Sequence, residues 1–196
     1  MTRLVLASAS PARRATLRAA GIEPSVVVSG VDESVVTDLA PGPLALRLAE
    51  LKRDAVAADV ADGSLVLGCD SVLELDGVAL GKPDDAADAV RRWRAMRGRA
   101  GVLHTGHALR DTASGHDAAA LGSTIVHFAD VTDDEIAAYV ETGEPLQVAG
   151  AFTIDGLGGA FVTGIEGDHH NVVGLSLPLL RDLVAELGHA WTDLWA

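Results

Sequence analysis

Asp70 is the residue of this chain hardest to explain by folding alone. It interrupts an otherwise apolar run, Leu65-Val-Leu-Gly-Cys-Asp-Ser-Val-Leu73. A lone carboxylate taken out of water is costly unless it is paired or binds a metal. An arginine partner or an outward turn would account for it structurally, and a chemical role would account for it otherwise. The cations are unevenly chosen. There are thirteen arginines but two lysines, Lys52 and Lys82, and lysine is a compact point charge on a flexible stem, suited to phosphate. Ser8-Ala-Ser10-Pro-Ala-Arg13, with Arg14 beside it, reads as a strand-to-helix junction. Free backbone N–H groups and the helix dipole favour an anion there. With Glu33, these residues are candidates for one small anionic substrate.

Holding them in place calls for alternating α and β elements. Leu4–Ala7 reads as a buried strand, and Pro11 opens a helix to about Ala20 with Ser10 as its cap. Ser25–Ser29 is a second strand, leading to Glu33. Pro43 to roughly Asp62 has helical spacing, with Leu44, Leu48, Leu51, Ala55 and Ala58 on one face, and it carries Lys52. Ser64–Leu75 is a strand with Asp70 at its middle. A hairpin at Asp76-Gly77 is closed by Gly81-Lys-Pro83, and a helix runs from Asp84 to about Met96. His104–Leu109 and Ser123–Val131 read as strands separated by a polar turn, Arg110–Asp117. Thr132-Asp-Asp-Glu135 is a capping box opening a helix to about Thr142. A Gly-rich region from Gly150 to Gly164 precedes a short strand pair and a last helix, Pro178–Leu187.

Composition limits the partners. The formal net charge of −13 argues against nucleic acid and anionic membranes, which reward basic patches. No apolar run approaches the ~20 residues that span a bilayer, and the apolar N-terminal run is too short for a signal peptide. One cysteine, Cys69, excludes an internal disulfide, and the expectation is a cytoplasmic protein.

In order along the chain, Ser8-Ala-Ser-Pro-Ala-Arg13, Val31-Asp-Glu33, Lys52 with alanines nearby, Gly68-Cys-Asp-Ser71, Gly81-Lys-Pro83, Thr105-Gly106, Ala149-Gly-Ala-Phe152 and Val173-Gly-Leu175 resemble the motifs of Maf-like proteins. Each motif is weak alone; the ordered set is specific and spans essentially the whole chain. The resemblance implies one domain over residues 1–196. It implies an α/β fold, an elongated mixed β-sheet flanked by helices with two lobes around a central cleft, of the Maf and inosine-triphosphatase type, often as a homodimer. It further implies hydrolysis of a nucleoside triphosphate to the monophosphate and pyrophosphate, with a divalent cation, magnesium or manganese. Carried over by position, Asp70 would accept the proton, and Glu33 would hold the metal with it or position water. Lys82 would serve catalysis and substrate binding, with Ser8, Ser10, Arg13, Lys52 and Ser71 also on the substrate. Phosphoryl chemistry is mostly positioning and charge neutralisation, which suits this set. Two other classes remain: a nucleotide-binding regulator of septum formation without turnover, and a metal-dependent phosphomonoesterase releasing orthophosphate.

The base is less defined. The dTTP/UTP branch of the family commonly has Arg, Thr and Gln where this chain has Ala12, Ser71 and Asp155. A carboxylate at the last position, and His104-Thr-Gly106, resemble the branch that prefers 7-methyl-GTP. Asp155 could accept hydrogen bonds from a guanine-type edge, or be a solvated turn residue before Gly156. Other motifs carry little. Gly77-x-x-x-Gly-Lys82-Pro83 lacks the spacing and Ser/Thr of a P-loop. Cys69 should point away from Asp70 and be inert. His104 and His107 should lie on opposite faces of a strand, and His169-His170 should be a surface turn. Trp191 and Trp195 could pack on the body or on a partner.

Overall fold

The computed structural model describes residues 2–60 and 63–196. Strands β1 (Arg3–Leu6), β2 (Ser25–Val26), β3 (Ser64–Leu75), β4 (Val78–Leu80), β5 (Ala100–Asp111), β6 (Asp117–Phe128) and β7 (Val162–Glu166) form one sheet. Helices α1 (Pro11–Ala19), α2 (Pro41–Ala57), α3 (Ala86–Met96), α4 (Asp133–Glu141), α5 (His169–Val173) and α6 (Leu177–Glu186) flank it. The strand order is β2-β1-β3-β5-β6-β7, with β4 also on β3. β1 runs parallel to β2 and β3, and the other pairings are antiparallel. The mixed α/β sheet expected from the resemblance is therefore present.

β3 organises the rest. One of its edges is covered by β5 from Leu65 to Glu74. The other is shared by β1, at Ser64–Leu67, and β4, at Leu73–Leu75. Between them, from Gly68 to Val72, no described strand pairs with that edge. On the face away from α2, two cores form along β3 and β5, and a smaller one, Val5, Ala7, Val56 and Val66, lies under α2. Leu65, Leu67, Cys69 and Leu109 pack with Leu17 of α1 and Leu180 and Leu183 of α6. Leu73, Leu75 and Leu103 pack with Trp93 of α3 and Ile136 and Tyr139 of α4. Trp93 lies edge-on to Phe128, Tyr139 and Phe161, with ring centroids 5.6–5.8 Å apart.

α2 covers the opposite face. Its buried stripe is Ala45, Leu48, Ala49, Arg53 and Val56; of the expected stripe Leu44, Leu48, Leu51, Ala55 and Ala58, Leu48 alone belongs to it. The reason lies in the partner strands. A Cβ on Gly68 would sit 2.1 Å from the Ala49 carbonyl oxygen, and one on Gly106 would sit 2.4 Å from that of Ala45. The helix backbone thus rests directly on two glycines, with small residues turned inward. α2 begins two residues before the expected Pro43. Asp62, where the sequence reading ends it, lies outside the described residues.

Other boundaries differ for local reasons. β2 is shorter than Ser25–Ser29 because β1 ends at Leu6, whose carbonyl receives the last bond, from Val27 N–H (3.1 Å). β5 and β6 extend into the polar stretch because Arg110 and Asp117 are a cross-strand ion pair (2.6 Å). Only one strand, β7, follows the Gly-rich region. The second of the expected pair is replaced by α5, because the Asp168 carboxylate caps it at His170 N–H (2.9 Å). Ser10 caps α1, and the Thr132–Glu135 capping box opens α4, both as expected. Asp76 and Gly77 turn the β3–β4 hairpin at φ 53° and 78°. Trp191 packs on the first core, while Trp195 stays half exposed.

Candidate active site

Side chains alternate along a strand, so Asp70 points to the α2 face of β3. There it forms an ion pair with Lys52, which also meets Glu33 at 2.7 Å. Glu33 arrives on a short 3-10 turn, Glu33–Val35, capped by the Asp32 carboxylate. The side chains of Lys52 and Asp70 are 12% and 11% exposed, that of Glu33 54%. The cluster is therefore buried at Asp70 and open at Glu33. Burial pushes the Asp70 carboxyl above its ordinary range, and Glu33 adds to this, against the opposing charges of Lys52 and Arg13. A carboxyl raised in this way is a stronger proton acceptor, once ionised, than an ordinary carboxylate.

Ser71 points the other way, between the two cores. Arg13 reaches it from α1 and is largely buried in the process. Its Nε donates to Gly174 O (2.7 Å), Nη1 to Cys69 O (2.9 Å) and Ser8 Oγ (3.2 Å), and Nη2 to Ser71 Oγ (3.0 Å). The Cys69 carbonyl lies on the stretch of β3 edge that no described strand pairs. Thr105 donates its only hydroxyl proton to Asn171 O (3.0 Å), so Ser71 must donate to Thr105 (3.0 Å). The chain of donation runs Arg13 to Ser71 to Thr105 to Asn171. One guanidinium N–H remains uncommitted. Ser8 Oγ also accepts from Ser10 N–H (3.2 Å), and its own proton has no acceptor among the described residues. Gly174, at φ 115°, leaves room for Arg13, since a Cβ there would lie 3.3 Å from Nε.

The sequence-predicted residues thus divide. Asp70, Lys52 and Glu33 meet on one face of β3. Ser8, Arg13 and Ser71 meet at its edge and other face, with Ser10 holding the turn through its bond to Arg13 N–H (3.4 Å). Lys82 and Asp155 join neither group. Lys82 is exposed after β4, and its turn is fixed by Arg92, which donates to Gly81 O (2.6 Å), and by Gly150 N–H to the same oxygen (3.0 Å). Asp155 is exposed on the loop that follows the Gly150 turn. Neither side chain has a bonding partner among the described residues. Thr105 and Gly174 were visible as motif members, but their hydrogen bonds to Ser71 and Arg13 were not.

The residues set aside by sequence behave as expected. Cys69 lies in the first core, and burial pushes its thiol up to about 12. His107 is buried, donating from Nδ1 to Thr105 O (3.0 Å) and accepting Ser176 N–H at Nε2 (2.8 Å). His104 lies on the opposite face, between Ser123 and Glu74. His169 and His170 are exposed, though they open α5 rather than forming a turn.

Among the described residues, no three His, Cys, Asp or Glu side chains converge as a metal cage. Magnesium is commonly held through one or two carboxylates completed by substrate phosphates and water. Asp70 and Glu33, sharing one ammonium, are a donor set that fits such a hard divalent cation.

A family model described as Maf-like protein matches residues 3–187. The chain is 63% identical over 195 residues to a nucleoside triphosphate pyrophosphatase of Streptomyces coelicolor, covering 99% of this chain and 95% of that one. It is 64% identical over 198 residues to a protein of the same name from Salinispora tropica, covering 99% and 88%. Among solved structures, a nucleoside-triphosphatase / dITP/XTP pyrophosphatase from Mycobacterium abscessus aligns with a TM-score of 0.42 and 18% identity, over 66% of this chain and 76% of that one.

Proposed function

The chain belongs to the Maf-like family, and we propose that it is a nucleoside triphosphate pyrophosphatase acting as one domain. The observation that carries the reading is Asp70: a buried carboxyl with a raised pKa, paired to a lysine beside an unpaired stretch of sheet edge. The names of its curated relatives agree with it.

Asp70 takes a proton from a water molecule, whose oxygen bonds to the α-phosphorus. The bond from that phosphorus to its bridging oxygen breaks, and pyrophosphate leaves with the electron pair. Glu33 orients the water from the open side of the cluster. Lys52 offsets one of the two carboxylate charges, which would otherwise repel the triphosphate more strongly. The Ser8 hydroxyl proton and the last Arg13 N–H are free for phosphate oxygens, beside the N-terminus of α1. Lys82, exposed and unpaired, supplies charge to the leaving pyrophosphate. Asp70 and Glu33 would hold a magnesium or manganese ion, which would supply further charge neutralisation on the triphosphate.

The base is read by Asp155, a free carboxylate able to accept from the N1–H and exocyclic amine of a guanine-type ring. A carboxylate at this position supports a reading nearer the 7-methyl-GTP branch than the dTTP/UTP branch. The enzyme is cytoplasmic and homodimeric in this reading. The exposed Val26, Val27 and Val28 at the β2 edge offer apolar surface for a second copy, and no described helix is long and apolar enough to cross a membrane.

The test is release of pyrophosphate against orthophosphate from a panel of ordinary and 7-methylated nucleoside triphosphates, with magnesium or manganese. Pyrophosphate plus monophosphate is expected. Orthophosphate would mean a different hydrolase class, and no turnover would favour a nucleotide-binding regulator.

A further inference from the structure

The loop that carries Asp155 is closed on a single side chain, Glu144, just past α4. Its Oε1 accepts from the hydroxyls of Tyr139 (3.0 Å) and Thr153 (2.5 Å) and from Gly158 N–H (3.1 Å). Its Oε2 accepts from Leu157 N–H (3.1 Å). Residues on both sides of the loop are therefore bonded to one carboxylate, and Ile154-Asp-Gly156 is left as the tip. Closure depends on two missing side chains. A Cβ on Gly156 would lie 2.7 Å from Glu144 Oε2, and one on Gly158 would lie 2.4 Å from the Tyr139 hydroxyl.

The bonding is strong enough to decide the charge of Glu144. Burial works to raise its pKa, but the bonds from Thr153, Leu157, Gly158 and Tyr139 outweigh it and hold the carboxyl below its ordinary range. Burial, with Glu144 nearby, pushes the Tyr139 hydroxyl up to about 12. Both groups keep their roles as acceptor and donor at neutral pH. At the base of the loop, Trp93 Nε1 donates to Ala151 O (2.8 Å), and Gly150 is bonded to the Lys82 turn. The loop is anchored at its root and at its neck, and its tip is tied back by the bond from Gly159 N–H to Gly156 O (3.1 Å).

We propose that Glu144 is a positioning residue for base selection, holding the 153–158 loop so that the Asp155 carboxylate meets the donor edge of the base in a fixed place. Glu144 touches no substrate; it acts through Asp155, and the inference rests on the reading of Asp155 given above. A pre-placed carboxylate discriminates between bases because it spends no ordering on contact, and because a base without the matching donors leaves it unpaired.

The experiment compares wild type, Glu144→Gln, Asp155→Asn and the double variant. The readout is the ratio of kcat/KM for GTP to that for UTP, with kcat and KM resolved and the thermal midpoint recorded. Glu144→Gln keeps the size of the side chain but turns an amide donor toward Leu157 N–H. Each single change should lower the ratio about tenfold, mainly through the KM for GTP, and the double variant should fall no further than Asp155→Asn. Tyr139→Phe, which removes one donor to Glu144, should give a smaller loss in the same direction and serves if Glu144→Gln does not fold. An unchanged ratio in Glu144→Gln or Tyr139→Phe, with Asp155→Asn lowered, overturns the positioning role alone. A loss in the double variant beyond that of Asp155→Asn also overturns it. An unchanged ratio in Asp155→Asn overturns the reading of the base, and the route through Asp155 with it. Equal loss of kcat on every nucleotide with a lowered midpoint would make Glu144 structural only.

Discussion

Lys52 on α2 and Asp70 on β3 are ion-paired across the helix–sheet interface, both about nine-tenths buried. The lysine is shared with Glu33, which remains open to solvent. One ammonium thus links a buried carboxylate, suited to proton transfer, to an exposed one, suited to meeting whatever enters. The Gly68 and Gly106 contacts that seat α2 on the sheet set how far Lys52 must reach.

Asp70→Asn should leave the fold intact and lower kcat by about 10²–10⁴-fold, the range for loss of a general base. In the proposed mechanism the base works deprotonated, and the Asp70 pKa is raised, so activity should fall with decreasing pH at a midpoint above the ordinary carboxylate range. A rate profile from pH 4 to 9 would detect the limb. Residual activity in Asp70→Asn should not show it.

Lys52→Met should destabilise the protein by about 3–5 kcal/mol, because it leaves the Asp70 charge buried without its partner. Urea unfolding would measure it. Adding Asp70→Asn to Lys52→Met should recover part of the loss, whereas two additive losses would mean that the pair is not coupled.

His107 gives stability its own pH dependence. Burial, reinforced by Arg13, lowers its pKa to about 4, while the unfolded value is about 6.5. Below that value the unfolded chain binds a proton that the folded chain refuses. Stability is thus fully present above about pH 6.5 and is lost as pH falls toward about 4, by an amount on the order of 3 kcal/mol. Denaturant titrations at pH 7 and 5 would measure the slope, and His107→Gln should flatten it.

Gly106→Ala and Gly68→Ala should each cost about 1–3 kcal/mol or more, since the atoms they strike are helix backbone and cannot swing aside. Gly164→Ala on β7, which meets nothing within 4 Å, is the control and should be close to neutral. Because α2 carries Lys52, the first two variants should also weaken activity.

The chemistry was more legible in the sequence than its arrangement. Asp70 stood out because an apolar strand has a physical reason to exclude it. Ser10, Thr132 and Asp76-Gly77 announced their turns and caps by local bonding, which a short window contains. The face of α2 could not be read in this way, since glycines on two distant strands decide which helix residues go inside. Nor could the partners at the site. Arg13 meets Gly174 across 161 positions, and the hydroxyl that receives Ser71's proton, that of Thr105, lies on another strand. Glu144 resembled any polar residue of a turn; its four donors come from α4 and from a loop that approaches only in the folded chain.

β3 and β5 each run through both hydrophobic cores, with Asp70 near the middle of the span. A beam clamped at both ends does not hinge at its centre. Bending is therefore resisted where Asp70 sits, and the candidate site residues carried outside the beam are those of the Glu33 turn and the Lys82 turn. In the mechanism proposed above, changes in either turn would retune what is accepted while Asp70 keeps its place.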